Sequence, residues 1–75
     1  MNLEQTLKEY VEYMNRLEGY RSEELAKVEA GGDSYWANHY TSKLEGMVEV
    51  SEILLTLGYY IMEVNNEYKL FKVVD

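Results

Sequence analysis

Apolar side chains recur at helical spacing near the start of the chain. Successive apolar positions step by four, three, four and three residues, which is the a/d seam of a coiled coil: Leu3, Leu7, Tyr10, Met14 and Leu17. Val11 widens this stripe, and Asn2 with Gln5 three residues later is typical of a helix N-cap. The pattern predicts a first helix over about residues 2–30.

Gly19 interrupts this pattern and leaves two alternatives. The segment is either one helix or two helices with a break near Gly19, where Ser22 caps a fresh start. Leu25 and Val28 continue the seam beyond the glycine, with Arg21 as the one polar intrusion. We therefore expect a single continuous helix.

Residues 34–57 repeat the helical spacing and predict a second long helix. Its apolar positions lie on one face: Trp36, Tyr40, Met47, Val50, Leu54 and Leu57. A competing helix start at Ser42 is less favoured, because the apolar spacing runs through it without a break. The short Gly31-Gly32 turn between the helices predicts that they are antiparallel neighbours.

The periodicity changes after Gly58, and the chain becomes β-branched and aromatic. Asn65-Asn66 tolerates the positive backbone angles of a two-residue turn, which predicts a hairpin over about residues 59–74 with Tyr60 facing Phe71. Both faces of this hairpin contain apolar and charged residues, so the sequence does not determine which face is buried. We expect a single α+β domain over residues 1–75, in which an antiparallel helical hairpin precedes a C-terminal two-stranded β-hairpin.

The size and composition of the chain limit the kinds of protein to which it can belong. Seventy-five residues enclose only a small core, and the chain has no Cys to form a disulfide. We therefore expect a homodimer or a bound partner. No apolar run approaches twenty residues, which predicts a cytoplasmic protein with no membrane contact. No catalytic, cofactor-binding or metal-binding motif is recognisable, so an enzyme is not expected.

The chain is acidic, and residues 44–68 contain five Glu and no Lys or Arg. Fourteen Asp and Glu against seven Lys and Arg give a net charge of −7, which disfavours direct binding to nucleic acid or anionic lipid. Glu45, Glu49 and Glu52 form a ladder along one edge of the second helix, and Glu63 and Glu67 follow in the hairpin. Three interpretations are open: a solvated helix face, a divalent-metal site, or a docking edge for a basic protein groove.

Eight tyrosines are many for so small a core. Tyr10 and Tyr40 lie on the helical seams and are predicted to belong to the core. Five others have no inward assignment and are candidate contact residues for a partner: Tyr13, Tyr20, Tyr35, Tyr59 and Tyr68. His39 is the only histidine, and without a second acid or base nearby in sequence we expect it to have a packing role.

The run EGMVEVSEILLTLGYY followed by a hairpin, in a short, acidic, tyrosine-rich chain, resembles the small proteins with which phages and mobile elements disable host defences, including anti-CRISPR proteins. This resemblance implies a non-enzymatic inhibitor whose carboxylates occupy a basic, nucleic-acid-binding groove of a partner protein. The alternative is a structural homo-oligomerisation module with a merely solubilising acidic face. A winged helix is disfavoured, because its helix and wing should be basic, whereas residues 44–68 contain five Glu and no Lys or Arg.

Overall fold

The computed structural model describes residues 2–73 of the chain. Two α-helices are followed by a 3₁₀ segment and two antiparallel strands: α1 (Leu3–Glu29), α2 (Tyr35–Ser51), the 3₁₀ segment (Glu52–Leu57), β1 (Tyr59–Val64) and β2 (Glu67–Lys72). The predicted α+β architecture, a helical hairpin followed by a β-hairpin, is confirmed. Residue 74, the last residue of the predicted hairpin, lies outside the described residues. No helix within residues 2–73 is both long enough and apolar enough to cross a membrane.

Helix α1 is continuous through Gly19, as expected. Its first turn is capped by the Asn2 side chain, whose Oδ1 accepts a hydrogen bond of 2.8 Å from the backbone N–H of Gln5. The helix ends before Gly31, whose φ of 95° lies in the left-handed region that favours glycine. Local sequence signals thus set both ends of this helix.

The predicted second helix is helical from Tyr35 to Leu57, but it does not remain α-helical to its end. The α-helix ends at Ser51, whose hydroxyl donates a hydrogen bond of 2.6 Å to the Val48 carbonyl, and a 3₁₀ helix continues to Leu57. Side-chain bonds of this kind compete with the backbone ladder. A 3₁₀ helix turns about 120° per residue where an α-helix turns about 100°, so the predicted face is lost within one or two turns.

The buried line of α2 also differs from the predicted stripe. Ala37, Leu44 and Ser51, spaced seven residues apart, are buried. Trp36 and Val50, which were predicted to lie on the inward face, are 50% and 57% exposed. The buried line of α2 therefore passes one residue beyond Trp36 and Val50 and leaves these two bulky side chains at the rim.

The core lies in the middle of the molecule, where the helices and the hairpin meet. Its buried centre is formed by Met14 and Leu17 of α1 with Leu44 of α2. Half-buried side chains surround this centre: Tyr10, Tyr13, Tyr40, Met47, Ile61 and Tyr68. The prediction that Tyr10 and Tyr40 pack in the core is confirmed.

The hairpin has the predicted register, from Tyr59 opposite Lys72 to Val64 opposite Glu67. Asn65 and Asn66 both have positive φ, 53° and 65°, as a two-residue turn of this kind requires. The face that carries Ile61 and Tyr68 packs on the helices. On the opposite face, the Tyr60 and Phe71 rings stack with their centroids 5.2 Å apart.

One side chain ties the hairpin to α1. The Asn15 amide donates a hydrogen bond of 3.0 Å to the Tyr68 carbonyl, and its Oδ1 accepts one of 2.7 Å from the Tyr68 N–H. In a hairpin with a two-residue turn, the two residues that flank the turn form a hydrogen-bonded pair. Hydrogen-bonded and non-hydrogen-bonded pairs then alternate along the ladder, so the N–H and C=O groups of Tyr68, one position further along, point away from β1. Asn15 therefore satisfies both outward backbone groups of Tyr68 on the open edge of β2.

Candidate protein-docking groove

An open groove lies between α2 and the hairpin, with an approximate volume of 490 Å³. Helix residues form most of its walls, and β2 contributes one tyrosine: Glu18, Arg21, Thr41, Leu44, Glu45, Val48, Glu49, Glu52 and Tyr68. The predicted acidic ladder of Glu45, Glu49 and Glu52 is one wall of this groove. The structure thus brings these three glutamates together beside an apolar floor.

The burial of Leu44 determines which way the acidic ladder faces. Since α2 turns Ala37 and Leu44 toward the interior, the adjacent edge with Glu45 and Glu49 is directed to the hairpin side. The α-helical rise separates Glu45 from Glu49 by about 6 Å and Glu49 from Glu52 by about 4.5 Å along the helix axis. All three glutamates are exposed, so the carboxylates form an accessible row.

Arg21 is the cation among the residues that line the groove, and it is already paired. Its guanidinium donates hydrogen bonds of 3.0 Å and 2.9 Å to the two carboxylate oxygens of Glu18, which raises the pKa of Arg21. The ion pairs within residues 2–73 are Glu18–Arg21 and Glu24–Lys27. The acidic ladder therefore has no cationic partner in the part of the chain that the structure describes.

Tyr68 supplies the aromatic surface of the groove. Its half-buried position raises the pKa of the phenol, and the neighbouring carboxylates of Glu63 and Glu18 raise this pKa further, while Arg21 acts in the opposite direction. The phenol is therefore neutral at physiological pH and retains its O–H donor. Glu63 thus lies close enough to add to the negative potential of the groove, although it does not line it.

Glu67 does not join this site. It lies at the turn end of the hairpin, beside Asn15 and Gly19 in a separate surface depression on the α1 side. In a strand, successive side chains point to opposite faces, so Glu67 and Tyr68 are directed apart. Of the two hairpin glutamates that were predicted as partner-binding residues, Glu63 lies opposite Tyr68 of the groove in the hairpin, and Glu67 lies outside it.

The other four candidate tyrosines are dispersed over the molecule. Tyr20 packs on Tyr40 with centroids 5.5 Å apart, and Tyr35 packs edge-on against Trp36 at 5.0 Å. Tyr13 lies on the opposite side of α2 from the groove, where its hydroxyl accepts a hydrogen bond of 3.1 Å from Lys43 Nζ. Tyr59 is half-buried at the start of β1. The structure therefore brings only Tyr68 into the groove.

His39 belongs to an aromatic cluster at the loop end of α2. Its ring lies 5.5 Å from Trp36 and 6.3 Å from Tyr35, centroid to centroid. Within residues 2–73, no three His, Asp or Glu side chains are grouped so that they could hold a metal ion.

Sequence reasoning missed the charged pair of the groove, Glu18 and Arg21, as well as Thr41, Leu44 and Val48. The available signal was the position of Arg21 on the otherwise apolar seam of α1, three residues after Glu18. A charged residue at a seam position must turn its head group toward a gap between elements, and here that gap is the groove.

The chain matches no protein-family model, and comparisons with curated proteins and with solved structures found no match. The function is therefore argued from the groove and its charges.

Proposed function

We propose that this protein is a cytoplasmic, non-enzymatic binding module that docks its acidic groove on a basic surface of a partner protein. The observation that carries the proposal is the row of Glu45, Glu49 and Glu52, which has no ion-pair partner within residues 2–73, in a groove whose arginine is paired with Glu18. Such a row attracts Lys and Arg side chains of a partner and increases the rate at which a correctly oriented encounter forms.

The groove also contains an apolar floor that can contribute binding free energy. Leu44 and Val48 line the groove together with Tyr68; Leu44 is already buried, so Val48, which is 41% exposed, supplies the accessible apolar surface. An apolar and aromatic centre with a charged rim is the usual composition of a protein interface, and tyrosine is among the residues that most often dominate its energetics. We assign the rim to the three glutamates and the anchor to Tyr68.

The spacing of the carboxylates favours a partner that otherwise binds nucleic acid. Rises of about 6 Å and 4.5 Å along α2 are within a factor of two of the about 3.4 Å that separates phosphates along the axis of one DNA strand. A basic groove built for phosphates can therefore accept this row of carboxylates. This is the mode of action that the resemblance to small phage inhibitors of host defence, such as anti-CRISPR proteins, implies, and we propose it as the biological role.

A matched pair of charge-reversal variants tests the proposal. In the groove variant, Glu45, Glu49 and Glu52 are replaced by Lys; in the control, Glu9, Glu23 and Glu29 of α1 are replaced by Lys, which changes the net charge equally. The immobilised chain is used to capture proteins from a host lysate at low salt and at about 0.5 M salt, where the screening length is only a few Å. Mass spectrometry identifies the captured proteins.

We expect the wild-type chain and the control to retain the same basic protein at low salt, and the groove variant to lose it. Binding should weaken as salt increases, and nucleic acid should compete for the captured partner. Capture that survives in the groove variant, or that does not respond to salt, contradicts the proposal.

A structural homo-oligomerisation module is the second candidate function. It is favoured by the 3₁₀ segment, where Ile53, Leu55 and Leu57 are each more than half exposed. In that case the acidic face serves solubility, and the groove variant would behave like the control in the capture experiment.

A further inference from the structure

The outer edge of β1, on the side away from β2, carries backbone groups that have no hydrogen-bond partner within residues 2–73. The Gly58 carbonyl accepts a hydrogen bond of 2.8 Å from the Val73 N–H, which marks these residues as a hydrogen-bonded pair. Because such pairs alternate along an antiparallel ladder, the N–H and C=O groups of Ile61 and Glu63 point away from β2. On β2, by contrast, Asn15 binds the outward groups at one position.

This edge forms one side of an open trough with an approximate volume of 350 Å³. Tyr60 and Ile61 both line the trough, although successive side chains of a strand point to opposite faces. A depression that both residues border therefore lies along a strand edge, and the other edge of β1 is occupied by β2. The opposite wall comes from the end of α2 and the 3₁₀ segment: Val48, Ser51, Glu52 and Leu55.

The trough continues into the acidic groove, because Val48 and Glu52 line both depressions. Glu63 lies directly opposite Tyr68 in the hairpin, so its side chain is on the face that is turned to the helices. Glu49 and Glu52 lie on the α2 side. The strand edge is therefore bordered by carboxylates from both directions, and these three glutamates form no ion pair within residues 2–73.

We propose that the outer edge of β1 binds an extended, basic segment of the partner protein as a third strand. In this mode of recognition, main-chain hydrogen bonds give affinity and alternate side chains give specificity. The backbone of the segment bonds to Ile61 and Glu63, and every second side chain faces the helices. This binding mode rests on the proposed function and specifies the form in which the basic partner is bound.

The side chains along the edge determine the sequence that the segment carries. A side chain directly opposite Glu63 lies among carboxylates, where Lys or Arg is favoured and Asp or Glu is repelled. A side chain two positions away lies beside Ile61, Val48 and Leu55, where an apolar residue is favoured. The expected motif is therefore a basic and an apolar residue with one residue between them.

Charge disfavours a second copy of the chain at this edge. Two β1 edges that pair bring together two sets of carboxylates from Glu52 and Glu63, and each chain has a net charge of −7. Like charges that face each other across strands destabilise pairing, and charged side chains on an edge strand commonly prevent it. The same carboxylates attract a basic strand, so they discriminate between the two occupants.

Hydrogen exchange measured by NMR with a synthetic peptide tests the proposal. The probe is a peptide of about nine residues in which Lys, Thr, Val and Thr repeat. The control peptide has the same side chains but N-methylated backbone nitrogens, so it cannot donate main-chain hydrogen bonds. In the free chain, the Met62 N–H is bonded to β2 and should exchange slowly, whereas Ile61 and Glu63 should exchange rapidly.

The probe should slow exchange at Ile61 and Glu63 by about 10-fold when its concentration is about ten times its dissociation constant. Met62 should change much less, and the N-methylated peptide should protect neither amide. The groove variant with Lys at positions 45, 49 and 52 should lose this protection.

The outcomes distinguish this binding mode from the proposed function. If the probe binds in a salt-sensitive manner and the groove variant loses it, but Ile61 and Glu63 still exchange rapidly, the acidic groove binds basic segments in another form and only the strand-edge mode is overturned. Equal binding of the N-methylated peptide has the same meaning. No binding of the probe at about 1 mM also overturns the strand-edge mode, and the capture experiment still decides the proposed function.

A matched pair of substitutions at Glu63 provides a second measurement. Glu63→Pro and Glu63→Gln both remove the carboxylate, but only proline removes the outward N–H. Proline is tolerated at an edge-strand position of this kind, and circular dichroism checks the folding of both variants. Glu63→Pro should bind the probe at least about 5-fold more weakly than Glu63→Gln, and equal dissociation constants contradict the proposal. The exchange measurement uses the wild-type chain and does not depend on either variant.

Discussion

The middle of the molecule and the 3₁₀ segment are both apolar in sequence, but side chains in the middle are buried and those of the 3₁₀ segment are not. In the middle, Met14 and Leu17 are buried. In the 3₁₀ segment, no residue is buried, although four of its six residues are Ile or Leu. The difference shows that apolar composition alone does not determine burial, because a side chain leaves water only where another element covers it.

The element that covers the middle is the hairpin, and Asn15 determines its position. The two hydrogen bonds from Asn15 hold β2 against the centre of α1, so Ile61 and Tyr68 are directed onto the core. The 3₁₀ segment is only partly covered: Leu54 is half-buried, whereas Ile53, Leu55 and Leu57 are exposed. Its exposed side chains remain available for contacts outside the chain.

The largest expected effect comes from removing a side chain at the centre of the core. Met14→Ala should lower the free energy of unfolding by about 2–5 kcal/mol, because Met14 is fully buried and its loss leaves a cavity. Leu55→Ala removes a comparable side chain from the 3₁₀ segment and should change stability by less than about 0.5 kcal/mol. Urea denaturation followed by circular dichroism measures both values. Similar losses for the two variants would remove the contrast between the two regions.

A smaller loss is expected when the hairpin is released from α1. Asn15→Ala leaves the N–H and C=O groups of Tyr68 without partners and should cost about 1–3 kcal/mol. Hydrogen exchange at the Tyr68 amide should become faster in this variant. Asn15→Asp retains an acceptor for that N–H but no donor for the carbonyl, so its effect should be intermediate. Unchanged exchange in Asn15→Ala would contradict this role.

The smallest expected effect lies at the border between the two regions. The Tyr10 hydroxyl donates a hydrogen bond of 2.6 Å to the Met47 carbonyl, near the end of α2. Tyr10→Phe should cost about 1 kcal/mol at neutral pH. The two proteins should also differ in their response to alkaline pH.

Burial raises the pKa of Tyr10 above its ordinary value of 10.0. The folded state therefore retains a proton that the unfolded state has lost, so this contribution is present below about pH 10 and is lost as the pH rises through the folded pKa. Stability of the wild-type protein should fall more steeply above about pH 10 than that of Tyr10→Phe, as measured by urea denaturation at several pH values. Burial also raises the pKa of Tyr68, so the variant keeps part of the slope. If the stability of both proteins falls equally steeply with pH, the assignment of this effect to the Tyr10 hydroxyl is contradicted.

Turns, caps and strand register were predicted from short sequence signals. Asn2 accepts the predicted capping bond, and Gly58, with a φ of 84°, ends the segment that follows α2. The Asn65-Asn66 turn sets the hairpin register. These features depend on backbone conformations within a few residues, and such preferences act locally.

The groove was only partly predictable. Helical spacing alone places Glu45, Glu49 and Glu52 on one edge of α2. Their proximity to Tyr68 and to the paired Arg21 depends on how the hairpin packs on the helices. Neither the register nor the charge pattern of the hairpin contains that information, so Glu67 was grouped with the acidic edge although it lies elsewhere.

The sequence by itself determined the elements of this protein, their order, their turns and the acidic edge, because each of these arises from contacts between residues close along the chain. Only the tertiary structure decided which line of α2 is buried, where the α-helix tightens, and which face of the hairpin covers the core. These outcomes depend on how the side-chain volumes of three packed elements fit together. In α2, Ala37 and Ser51 occupy buried positions, whereas Trp36 and Val50 remain exposed.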